Sequence, residues 1–194
     1  MITSNEKNLL RYLLINFDVD YSLNELAKKL ELAPNGAFEI VKKFEEIGVI
    51  ISKKIANIKS YKINFANRSA KKLLELILMP DNKDEKIQHR YEDLKDLEAI
   101  SGLCIIFGSY VRGKKNPNDL DVMFVIKKSN FEKFNELLGK ARLRLPLKLH
   151  DVLLTKNDLR ENLRNPDERL KEILKDGVVL WGQELLVEVI ESVR

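Results

Sequence analysis

Two carboxylates separated by one residue, in Asp119-Leu120-Asp121, open an apolar run that continues through Val122, Met123, Phe124, Val125 and Ile126. If that run is a strand, its period of two sets both carboxylates on one face with Cα atoms about 6.5 Å apart, close enough to share one hard divalent cation. A second apolar run, Leu147 to Leu154, is interrupted by Asp151. An unpaired carboxylate is costly to bury, and a cation shared with Asp119 and Asp121 would remove that cost. Gly108 and Ser109 close a third apolar run, Leu103 to Phe107. The glycine lets backbone approach a phosphate, the first amides of a following helix would point at it, and the serine hydroxyl adds a donor. Together these parts suit metal-assisted phosphoryl chemistry, and nucleotidyl transfer is the simplest reaction that uses all of them. Arg112, Lys114, Lys115 and Lys148 offer positive charge to a triphosphate, Arg112 being preferred because it lies within the stretch from Gly108-Ser109 to Gly113.

Other chemistries lack their residues. Cys104 is the single cysteine, and His89 and His150 are the only histidines, which leaves neither a thiolate framework nor a serine–histidine hydrolase. Cys104 reads as an inert core thiol and His89 as a surface histidine without a partner at ligand spacing. Alternation points His150 to the face opposite Asp151, so it is expected to take no part in catalysis. Trp181 and a last helix from Glu184 to Val193 read as packing.

The elements that must position these residues sit in a chain of 194 residues, 44% hydrophobic and 33% charged, enough for one domain or two small ones. No apolar run approaches the roughly 20 residues of a membrane span, and Glu6 and Arg11 interrupt the first apolar pattern, so a soluble, cytoplasmic protein is expected. Net charge of +4 permits a local nucleic-acid contact without requiring one. Leu9, Leu10, Leu13, Leu14 and Phe17 predict a first helix ending near Asn16, with Ser4 as a plain cap. Ser22 and Glu25 form a capping box for a second helix, and Pro34 opens a third that stops at Gly48. Val49 to Lys54 and Lys59 to Phe65 then read as a hairpin turning at residues 56–58. Charged amphipathic helices, Ser69 to Met79 and Lys83 to Ile100, predict a connector without chemistry.

Three helices followed by a basic hairpin resemble the winged helix family of DNA-binding domains over residues 4–66. The resemblance implies DNA as a partner, with Lys42 and Lys43 on the third helix and Lys53 and Lys54 on the hairpin as candidate contacts. Glu39, Glu45 and Glu46 make that helix net acidic, and it carries no arginine for a bidentate guanine contact, which argues against strong sequence-specific readout. A plain helical module for dimerisation or protein contact is the competing reading.

Gly108-Ser109-Tyr110-Val111-Arg112-Gly113, then Asp119-x-Asp121, then the strand aspartate Asp151, is similar to the DNA polymerase β-type nucleotidyltransferase superfamily, and more narrowly to the minimal nucleotidyltransferases. Asn118 stands where that family often has serine, and Asp176 to Gly182 looks like its closing strand segment. The resemblance implies an ATP-like donor, Mg2+ or Mn2+, metal ligation and catalysis by Asp119, Asp121 and Asp151, and nucleotide binding at Gly108, Ser109 and Arg112. It also implies a protein partner for the reading in which the chain is an antitoxin, since some minimal nucleotidyltransferases pair with a helical nuclease toxin. The expected fold class is α+β, or mixed. A winged helix domain spans residues 1–66, a helical connector 67–99, and a nucleotidyltransferase domain with a small mixed sheet 100–194. A homodimer through the first helix or the connector is compatible with this layout.

Overall fold

In a computed structural model of the chain, which describes residues 2–55, 57–81, 83–113 and 117–194, two compact units form, one reaching to Ile77 and the other Leu78–Val193. The first contains α1 (Ser4–Ile15), β1 (Tyr21–Ser22), α2 (Leu23–Lys29), α3 (Pro34–Glu46), β2 (Ile50–Ile55) and β3 (Ile58–Ile63), with α4 (Arg68–Leu78) following. Thr3, one residue earlier than expected, caps α1. Its Oγ1 accepts from the Glu6 amide at 3.3 Å and the Glu6 carboxylate accepts from the Thr3 amide at 2.8 Å, a complete capping box. The Ser22–Glu25 box of α2 and Pro34 at the start of α3 are as expected. Helical spacing gathers Leu9, Leu10, Leu13 and Leu14 with Leu26, Val41 and Phe44 into a buried core. The sheet is antiparallel in the order β1-β3-β2. Its two-residue β1 is too short to show a period, which is why no strand was expected there.

The second unit contains α5 (Glu85–Leu94) running into a 3-10 turn (Lys95–Ile100), then β4 (Ser101–Phe107), β5 (Asp119–Ile126), α6 (Phe131–Arg144), β6 (Lys148–Leu154), α7 (Lys156–Arg164), α8 (Glu168–Asp176), β7 (Val178–Trp181) and α9 (Gln183–Val193). The sheet order is β6-β5-β4-β7, with β5 and β6 parallel and the other pairs antiparallel. On β6 only Leu149 is buried, whereas period two gives β4, β5 and β7 two largely buried faces. On one, Ile106, Val122 and Phe124 meet Phe134 and Leu138 of α6, with the Phe124 and Phe134 rings edge to face at 5.0 Å. Burial on this face pushes the Cys104 thiol pKa up, in keeping with an inert core cysteine. On the other face, α7 packs against β5 and β6, and α8 and α9 pack against β4.

The expected connector is divided. Ile87, Leu94 and Leu97 belong to the core of the second unit, because their apolar stripe needs the sheet to cover it. The expected helix over residues 83–100 changes to 3-10 geometry at Lys95. There Ser101 Oγ donates to the Leu97 carbonyl at 2.7 Å and accepts from Trp181 Nε1 at 3.1 Å, tying the turn to β4 and β7. Among the described residues no helix is long and apolar enough to cross a membrane.

Candidate active site

β4 ends at Phe107, which pairs in register with Asp121 of β5. The next residue, Gly108, has φ +77°, a conformation side chains strain to adopt. A Cβ on Gly108 would lie 2.2 Å from Asp121 Oδ2, so the Asp121 carboxylate fills space that any other residue would need. Ser109 Oγ donates a long hydrogen bond, 3.5 Å, to Asp119 Oδ1. Sequence reasoning expected a helix to follow Gly108; instead residues 108–113 form turns, closed by the Arg112 amide donating to the Gly108 carbonyl at 3.3 Å. α5 braces it from behind: the Tyr110 hydroxyl donates to the Lys86 carbonyl at 3.2 Å, and the Arg90 guanidinium lies 5.8 Å from the Tyr110 ring.

The parallel register of β5 and β6 decides which residues of β6 face the two carboxylates. Asp121 pairs with His150 and Val122 pairs with Asp151. Paired residues share a face, so His150 stands with Asp119 and Asp121. Its Nδ1 is 3.6 Å from Asp121 Oδ1 and 3.8 Å from Asp119 Oδ2. Asp151 lies on the opposite, α6-covered face, where its largely buried carboxylate pairs with Arg142 of α6. Two expectations are corrected here. Asp151 does not join Asp119 and Asp121, because a guanidinium rather than a shared cation compensates its burial. His150, expected to face away, is the residue beside them.

A cavity of about 330 Å³ opens next to Asp121, with Phe107 and Gly108 on one wall, Arg112 at the turn, and Arg169 and Glu172 of α8 opposite. Arg112 Nη1 lies 3.7 Å from Glu172 Oε2, and the Arg169 guanidinium sits 6.0 Å from the centre of the Phe107 ring. Sequence reasoning missed Arg169 and Glu172. The one local signal was the stripe of Leu170, Ile173 and Leu174, which makes α8 amphipathic and leaves Arg169 and Glu172 off its buried face. Lys148 starts β6 opposite Asp119 and is exposed. Lys114 and Lys115 lie outside the described residues.

A Mg2+-like cation takes one or two protein carboxylates and completes its shell with water and substrate phosphates. Asp119 and Asp121, side by side against His150 with Asp121 in the room that Gly108 leaves, fit that demand. Three-acid ligation does not: among the described residues no three His, Cys, Asp or Glu side chains are grouped to hold a metal. In the first unit, Lys43 is drawn into an ion pair with buried Glu6 at 2.7 Å, whereas Lys42, Lys53 and Lys54 are exposed.

A family model described as Polymerase beta, Nucleotidyltransferase matches residues 85–184, just over half of the chain and every element from α5 into α9. No curated protein and no solved structure gives a significant match.

Proposed function

The chain belongs to the polymerase beta nucleotidyltransferase family, and from that premise we propose that it transfers a nucleoside monophosphate, AMP from ATP, to a hydroxyl acceptor, with Mg2+ or Mn2+ at Asp119 and Asp121. One observation carries the reading: the Asp121 carboxylate lies against a glycine turn that has no room for a Cβ and lines a cleft together with Arg112 and Arg169, with Asp119 two residues before it on the same face of β5. Asp119 and Asp121 supply the negative charge that a cation needs, and the Ser109 hydroxyl lies 3.5 Å from Asp119 Oδ1. A bound cation would stabilise charge on the phosphate oxygens. In the transfer, a bond forms from the acceptor oxygen to the α-phosphorus, the bond to the bridging oxygen breaks, pyrophosphate leaves and the acceptor proton passes to solvent. Asp151, held by Arg142, stands outside this scheme.

Calorimetric titration with non-hydrolysable ATP and GTP analogues, with and without Mg2+, tests the reading. Metal-dependent binding by the wild type, lost in the Asp119→Asn, Asp121→Asn double variant, is the expected result. No nucleotide binding by the wild type would sink the proposal.

A second reading is a DNA-binding regulator or antitoxin whose nucleotide site does not turn over. It is favoured by the position of Asp151, which leaves the pair Asp119 and Asp121 without the third carboxylate that the family resemblance implies. The winged helix resemblance of residues 1–66 supplies the surface, with Lys42 on α3 and Lys53 and Lys54 on β2 exposed and Lys43 diverted to Glu6. Duplex binding of this kind must weaken steeply as salt rises, and a gel-shift series over salt reads that slope.

A further inference from the structure

The cleft beside Asp121 holds two guanidinium groups of different standing. That of Arg112 already faces a carboxylate, Glu172 Oε2 at 3.7 Å, in a pair whose side chains are both at least half exposed. Such a pair is weak and easily exchanged for a better anion. Arg169 stands one helical turn before Glu172 on α8 and lines the same cavity. Among the described residues no carboxylate lies at ion-pair distance from it. Its guanidinium lies instead over the Phe107 ring, 6.0 Å from the centroid, which favours the cation without neutralising it. Phe107 is the residue immediately before Gly108 and pairs with Asp121. An unmatched cation is thus held against the strand end that carries the candidate site.

A guanidinium presents a planar fork of donors that matches two phosphate oxygens at once. The cavity, about 330 Å³, is at the small end for a ligand site and suits a phosphate tail better than a whole nucleotide. We infer that Arg169 binds the β- and γ-phosphates of the donor nucleotide and makes the site select a triphosphate over a monophosphate, an inference that rests on the nucleotidyl-transfer reading above. Arg112 is the reserve cation, and Glu172 competes with the phosphates for it.

The affinities of wild type, Arg169→Ala, Arg169→Lys and Glu172→Gln for a non-hydrolysable ATP analogue, for inorganic tripolyphosphate and for AMP, each with Mg2+, test this by calorimetry. Arg169→Ala should weaken the analogue and tripolyphosphate by about tenfold or more and leave AMP unchanged, the size expected for a charge-assisted pair. Arg169→Lys should recover part of the loss, because it keeps the charge and loses the fork. Glu172→Gln should tighten both triphosphates by releasing Arg112. Wild-type affinity for the triphosphates in Arg169→Ala overturns the inference and leaves the transfer reading intact. Equal loss for AMP and the ATP analogue also overturns it, since the residue would then be holding the nucleoside. A wild-type protein that binds none of the three overturns the transfer reading itself. Arg169 is exposed, and matching thermal unfolding of the variants separates these outcomes from misfolding.

Discussion

Gly108 has two separate reasons to lack a side chain. Its φ of +77° strains any L residue, and a Cβ would collide with Asp121 Oδ2 at 2.2 Å. The first costs about 1–2 kcal/mol for alanine, and the second must move either the turn or the carboxylate. Gly108→Ala is therefore expected to lower unfolding stability by at least that amount in a denaturant titration and to abolish Mg2+-dependent nucleotide binding. A variant that binds nucleotide like the wild type would show that the Asp121 carboxylate is not required where it lies. The Gly-Ser pair was legible as chemistry because a glycine at a strand end lets backbone approach an anion and the following serine adds a donor. That the glycine leaves room for a carboxylate was not legible, since Asp121 lies on another strand.

At the scale of elements, the register between β5 and β6 does most to define the site. The strict alternation of a strand told that His150 and Asp151 face opposite ways, and this is observed. Which of the two meets Asp119 and Asp121 depends on the pairing Asp121 with His150, and a slip of one residue would exchange them. The paired variants Asp151→Asn and Asp121→Asn should consequently behave as opposites. Asp151→Asn breaks the tie from β6 to Arg142 of α6 and is expected to cost about 1–3 kcal/mol of stability, between the values for exposed and buried pairs, with nucleotide affinity unchanged. Asp121→Asn is expected to lose nucleotide binding with stability kept. Denaturant unfolding and calorimetry on both variants check this, and loss of binding in Asp151→Asn would place Asp151 in the site after all.

At the scale of the whole molecule, the boundary falls at Ile77 and Leu78, so that α5 is part of the unit with the four-stranded sheet and not a spacer before it. Leu94 is fully buried in the same core as Trp181, the only tryptophan of the chain. Leu94→Ala should destabilise the unfolding transition reported by Trp181 fluorescence by about 2–5 kcal/mol, and an unmoved transition would detach α5 from that core. Local pattern alone determined the helices of the first 48 residues, the hairpin after them, the strands that carry Asp119 and Asp151, and the family to which the Gly-Ser and Asp-x-Asp spacing points. Each of these follows from interactions between residues a few positions apart: caps, helical stripes and strand alternation. Only the tertiary structure decided that His150 rather than Asp151 faces the carboxylates, that the half-buried Asp151 is matched by Arg142, and that α8 brings Arg169 to the cleft. Strand register and helix packing are set by contacts between segments far apart in the chain, and no local periodicity encodes which partner a side chain will meet.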